Sequence, residues 1–165
     1  MGFKTKNRHR LKNKDIQKII EKIKQDFECE DLSENSVFEV GDVEGTKFVF
    51  IDGKPDLMYH QDKVVFTLLG INKFRPNTRF VVVDMGAVKF VTNGADVMTP
   101  GVIDADKNIK ENDFVWICDE RNKKALAIGF ALMSGDMMIT EKKGKAVSVF
   151  HFVGDNIWTF VAKSL

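Results

Sequence analysis

Between residues 80 and 161 the chain alternates short apolar runs with clusters of turn-forming residues, and this rhythm limits the fold more than any other feature. The runs fall at 80–83, 97–98, 114–118, 125–132, 147–153 and 157–161. The breaks are Thr99-Pro100-Gly101, the polar stretch 119–124, Ser134-Gly135-Asp136 and Gly154-Asp155-Asn156, all residue types that supply turn geometry. About six such strands fall within some 85 residues. With one short helix between Asp84 and Gly94, they predict a small closed or nearly closed barrel.

The preceding residues follow a different period. Ile16, Ile19, Ile20, Ile23 and Phe27 lie on one helical face, so an amphipathic helix is expected over 13–27. Asn13 is its expected N-cap, and Lys14, Lys18 and Lys22 form a stripe on the solvent side. Strand-like runs follow at 37–40, 47–51 and 57–60, with Asp52-Gly53 and Lys54-Pro55 supplying hairpin chemistry. The apolar stretch 63–74 satisfies both a buried strand and a short helix, and the preferred reading is helix up to Gly70. Arg75-Pro76-Asn77-Thr78 then reads as a connector, because proline biases the residue before it away from helix. The expected architecture is α+β: a mixed domain over 1–75 and a barrel domain over 76–165.

The formal net charge is only +1, but it conceals two opposed blocks. Residues 1–25 carry nine Lys/Arg against two acids, +7, while residues 26–44 carry eight acids and no basic residue, −8. The basic block, with Lys4, Lys6, Arg8, Arg10 and Lys12, is a candidate auxiliary surface for a polyanion. The acidic block reads as a solvated surface. It lacks the alternating spacing and turn glycine of a calcium loop.

No catalytic constellation stands out. His9, His60 and His151 are far apart, Cys29 and Cys118 have no zinc-type spacing, and the glycine pairs match neither a Walker loop nor a dinucleotide turn. The expectation is a non-enzymatic protein without cofactor or metal. No apolar run is long enough for a bilayer crossing, and the first residues lack the apolar core of a signal peptide. Together with two cysteines expected as reduced thiols, this predicts a soluble cytoplasmic protein without membrane attachment.

The segment 80–103 orders a strand, a potential cap at Asp84, a glycine in the first helical turn, two turns of helix and a terminal Gly94. Two explanations fit this spacing. Either Gly86 leaves the helix N-H groups open to a phosphate oxygen, with Lys89 adding charge, or the glycines only permit tight packing against the barrel.

The run from Asp84 through Gly86-Ala87-Val88, Val91 and Gly94-Ala95-Asp96-Val97-Met98 to Pro100-Gly101-Val102 resembles the opening of the PUA domain, an RNA-binding module. Within that family it is similar to the stand-alone proteins related to malignant T-cell-amplified sequence 1. The likeness covers residues of about 76–160, including Ala127-Ile128-Gly129, Met133-Ser134 and an expected closing strand at Trp158. The N-terminal part resembles the pre-PUA domain of archaeal members.

What the resemblance implies is binding of structured RNA, tRNA or rRNA, through Gly86, Ala87, Lys89, Phe90, Gly94, Ala95, Val97, Met98, Pro100 and Gly101. Phe90 and Val97 fit a core role equally well. Backbone groups at Gly86, Ala87 and Ala95, with Lys89, are the preferred direct contacts. The resemblance further implies a place on the small ribosomal subunit near tRNA, in initiation or recycling. It implies a partner resembling density-regulated protein, for which the acidic block offers a docking surface. The alternative is an accessory subunit that delivers tRNA or rRNA to a separate modification enzyme.

Overall fold

The computed structural model describes residues 2–29 and 31–165. Two sheets organise the chain. The first has five antiparallel strands in sequential order: β1 (Thr5–Arg10), β2 (Phe38–Val43), β3 (Thr46–Ile51), β4 (Lys54–His60) and β5 (Lys63–Phe66). Helix α1 (Asn13–Asp26) buries Ile16, Ile19, Ile20 and Ile23, as its period predicts. Asn13 is not the cap: Lys12 holds the extended cap conformation without a side-chain hydrogen bond, and Asn13 begins the helix. At the other end the buried Phe27 ring meets Phe66 of β5 edge-on at 5.2 Å.

Strand β1 is not among the elements expected from the sequence, where these residues read only as part of the basic block. It is an edge strand whose residues are nearly all exposed, so no apolar alternation marks it. Its partner supplies the complement: Lys6 pairs opposite Asp42 and Arg10 opposite Glu39, with a register shift around Asn7, which adopts φ 55°. The Arg8 guanidinium lies 3.1 Å from Glu39 and 4.1 Å over the Phe50 ring. The start of the basic block and the two acids of β2 are therefore neighbours in one sheet.

The ambiguous run divides at Thr67. Residues 63–66 form β5 rather than the expected helix, and α2 (Leu68–Phe74) starts after Thr67, whose buried hydroxyl accepts the Gly70 N-H. Both halves of the run are buried, which explains why periodicity could not separate them.

The second sheet has six strands in the order β7 (Val97–Met98), β11 (Lys145–Phe152), β10 (Ala125–Ala131), β9 (Phe114–Asp119), β6 (Phe80–Val83), β8 (Val102–Ala105). A 3-10 turn, Thr99–Gly101, links the two end strands and nearly closes the barrel. Three short helices decorate it: α3 (Met85–Val91), α4 (Gly135–Thr140) and α5 (Asn156–Val161). Helix α5 corrects the strand expected at 157–161, including the closing strand at Trp158. Asp155 accepts the Trp158 N-H at 2.6 Å and so starts a helix where the apolar run alone resembled a strand. Ser134 likewise caps α4, in a segment that reads as a plain turn.

One apolar cluster unites the sheets. The inner residues of β2 to β5 and the buried faces of α1 and α2 pack with Phe114, Ala125, Ile128 and Val161. A second cluster, centred on Val81, Val83, Ile117, Ala127 and Val147, fills the barrel. At the junction the fully buried His151 accepts the Leu68 N-H at Nε2, 3.2 Å, while Nδ1 lies 2.9 Å from the Asp155 carboxylate. His60 stacks on Phe150 at 3.9 Å nearby.

Candidate nucleic-acid interface

Helix α3 begins as its sequence requires. Asp84 is extended, and its carboxylate accepts the Ala87 N-H at 2.9 Å. Gly94 reverses the chain after the helix with φ 88°, where a left-handed conformation favours glycine. A Cβ on Gly94 would also stand 2.8 Å from the Phe152 ring, so this glycine serves packing. Gly86 differs. A Cβ there would approach only Asp84 Oδ1, at 3.3 Å, leaving open space above the first helical turn.

That space belongs to a pocket of about 460 Å³ between α3, β7 and the 3-10 turn. It gathers eight of the ten residues singled out in the sequence: Gly86, Ala87, Phe90, Ala95, Val97, Met98, Pro100 and Gly101. Lys89 and Gly94 do not line it. Phe90 is 57% exposed and Met98 46%, whereas Val97 is 2% exposed. The ambiguity over Phe90 and Val97 thus divides: Val97 belongs to the barrel core and Phe90 stands on the surface. Val91, Asp84 and Asp96 complete the lining. Asp96 belongs to the motif run but is not among the candidate contact residues. Its carboxylate accepts the Val149 N-H at 3.0 Å and lies 3.4 Å from Lys145, tying β7 to β11.

The helix end is less open to phosphate than its glycine implies. The Met85 N-H already donates to Glu120 at 2.9 Å, and the Ala87 N-H to Asp84. The Ala95 N-H donates to the Phe90 carbonyl at 3.0 Å. Two of the three preferred backbone donors are therefore occupied, and two carboxylates stand at the positive end of α3. Lys89 points its ammonium over the Phe90 ring, at 5.2 Å. The pocket offers an apolar slot with an aromatic rim more than an anion cradle.

The other candidate residues lie apart from it. Lys4, Lys6, Arg10 and Lys12 accompany β1 in the other sheet, and Arg8 is engaged by Glu39. Among the described residues no group of three His, Cys, Asp or Glu side chains is placed to hold a metal ion, and both cysteines are unpaired. No helix of the described residues is long and apolar enough to cross a membrane.

Residues 79–153 match the family model of the PUA domain, and residues 7–74 match a domain of unknown function, DUF1947. An uncharacterized protein of Methanocaldococcus jannaschii is 41% identical over 94% of this chain and 97% of its own length. The chain belongs to the PUA-domain family in which a DUF1947 segment precedes the PUA domain. Translation machinery-associated protein 20 of Saccharomyces cerevisiae is 31% identical over 67% of this chain and 64% of that protein. A crystal structure of a hypothetical protein from Pyrococcus horikoshii superposes with a TM-score of 0.84 at 37% identity, covering 93% of this chain and 99% of that one. The pocket beside α3 lies wholly within the PUA match.

Proposed function

We propose that this is a non-enzymatic, cytoplasmic RNA-binding protein of the translation apparatus that associates with tRNA and the small ribosomal subunit. The observation that carries the reading is the apolar pocket beside α3. RNA differs from duplex DNA in offering unstacked bases at loops and ends, which proteins seat against aromatic side chains. A slot with small residues on its floor and Phe90 and Met98 on its rim suits one such base. The family match supports RNA as the ligand, and the name of the yeast relative supports a role beside the translation machinery. The acidic residues of β2 and its flanks are reserved, in this reading, for a partner resembling density-regulated protein. Asp42 and Glu39 are already shared with β1, so such a partner would meet the acids outside the strand pairing.

Fluorescence anisotropy with unfractionated tRNA tests the pocket. Gly86→Leu fits a helix, requires only a small shift of Asp84 and fills the slot, so it should abolish preference for RNAs with a single-stranded end while circular dichroism stays unchanged. Undiminished preference in the folded variant would remove the pocket from the RNA site. Sedimentation of extracts should place the protein with small subunits or tRNA. Recovery with a modification enzyme instead would favour the accessory-subunit role.

A further inference from the structure

The pocket beside α3 leaves an electrostatic question. Protein–RNA affinity draws heavily on neutralised phosphates, yet carboxylates of Asp84, Asp96 and Glu120 surround α3 and the one lysine on that helix lies over Phe90. The basic strand β1 answers it only in part, because Arg8 is held by Glu39 and the register shift sets Lys6 and Arg10, opposite Asp42 and Glu39, on different faces of the sheet. A second set of ammonium groups shares one groove.

A groove of about 460 Å³ runs between the flank of α1 and the first sheet, and all five strands contribute to it. Its floor is apolar, with Ile19, Val40 and Val64, and the half-buried Tyr59 stands in it. Its rim carries Lys18 and Lys22 from α1, Lys47 from β3, Lys63 from β5 and His9 from β1, against Asp15 and Asp62. Lys22 is engaged by Asp26 at 3.3 Å. Among the described residues no carboxylate lies within ion-pair distance of Lys18, Lys47 or Lys63. Lys47 and Lys63 are instead positioned over aromatic rings, 5.6 Å from Tyr59 and 5.8 Å from Phe114. The Tyr59 hydroxyl makes no hydrogen bond among the described residues and remains free to donate.

We infer that this groove binds the sugar-phosphate backbone of the same RNA whose unstacked base enters the pocket beside α3. The chemistry matches on both counts: exposed ammonium groups meet phosphate oxygens, and an apolar floor with one phenol meets the ribose face. Phosphate contacts position an RNA without reading its sequence, so the groove supplies affinity and the pocket supplies preference. The inference rests on the RNA-binding reading above, and the test separates the two.

Salt titrations of tRNA binding compare the full chain with Lys47→Gln/Lys63→Gln and with a charge-matched control, Lys107→Gln/Lys110→Gln, all exposed positions whose replacement spares the core. The groove variant should lower the log-log salt slope by about 1.5, from roughly 0.7–0.9 per lost phosphate contact. It should bind more weakly at low salt and keep its preference for RNAs with a single-stranded end. The control should leave the slope unchanged. Equal slopes in groove variant, control and parent would overturn the groove while leaving the pocket standing, and failure of the parent to bind any RNA would overturn both. A groove variant that binds tRNA normally but loses an acidic protein partner would assign the surface to protein instead.

Discussion

Replacing His151 with alanine should strip a fully buried imidazole from the junction of the two sheets. The Leu68 N-H at the start of α2 would lose its acceptor at 3.2 Å, and a buried unsatisfied donor costs about 1–3 kcal/mol. The Asp155 carboxylate would lose its 2.9 Å partner but keep the N-H groups of Phe152 and Trp158, which limits that part to about 1 kcal/mol. With the cavity left by the ring, the total is about 4 kcal/mol. For a chain of this length that lowers Tm by about 8–16 °C. Guanidinium titration followed by circular dichroism measures it. His151→Gln, which offers an acceptor toward Leu68, should recover part of the loss. The pH dependence has a definite sign. Burial pushes the Asp155 carboxyl up, but the hydrogen bonds from His151, Trp158 and Phe152 outweigh it and hold it below its usual value. Its contribution is therefore present above the ordinary carboxylate range and fades as pH falls through the depressed folded value. His151→Ala should flatten that acid limb. A loss below 1 kcal/mol, with an unchanged acid limb, would refute the view that this histidine couples the sheets.

Three further outcomes follow from the geometry. Phe90→Ala removes a 57% exposed ring, so stability should change by less than about 0.5 kcal/mol. Affinity for RNAs with a single-stranded end should nevertheless fall about 5- to 100-fold, with little change for RNAs without one, as anisotropy titration would show. Gly94→Ala meets both a left-handed φ of 88° and the Phe152 ring at 2.8 Å, and should destabilise by about 2 kcal/mol in denaturant titration. Burial pushes the Cys118 thiol up to about 11, so iodoacetamide should modify it at neutral pH only after unfolding; rapid labelling of the native chain would contradict its placement.

How much of this was legible in the sequence depended on whether an element buries a patterned face. Helix α1 was plain because four isoleucines mark one side. The β3–β4 hairpin was plain because Asp52-Gly53 has turn chemistry, and both residues adopt positive φ. Strand β1 was invisible because its side chains are exposed and its pairing is made by backbone and by charge across from β2. Helix α5 was mistaken because six residues with apolar Ile157, Trp158, Phe160 and Val161 satisfy either period, and only the Asp155 cap decides. The residues that line the pocket beside α3 share one continuous motif, 84–101, which is why the sequence groups them, but its spacing suggests an anion site and not the apolar slot they form. The basic groove was not legible, since His9, Lys18, Lys47, Tyr59 and Lys63 come from five separate elements.

The separation of charge from the pocket has a physical logic. An aromatic slot that receives an unstacked base gains from dispersion and stacking, and these do not require nearby cations. Lysines set beside it would attract any phosphate and weaken discrimination, whereas the carboxylates of Asp84 and Glu120 discourage backbone binding at the α3 end. Charge placed in a separate groove raises affinity for every RNA alike. The rigid connection that His151 and the shared apolar cluster provide would then fix the distance between the two surfaces. An RNA that satisfies both must present a backbone segment and a free base at that separation. Weakening the junction with His151→Gln should therefore reduce preference among RNAs before it reduces affinity at low salt. Parallel loss of the two would mean that the surfaces act independently of their spacing.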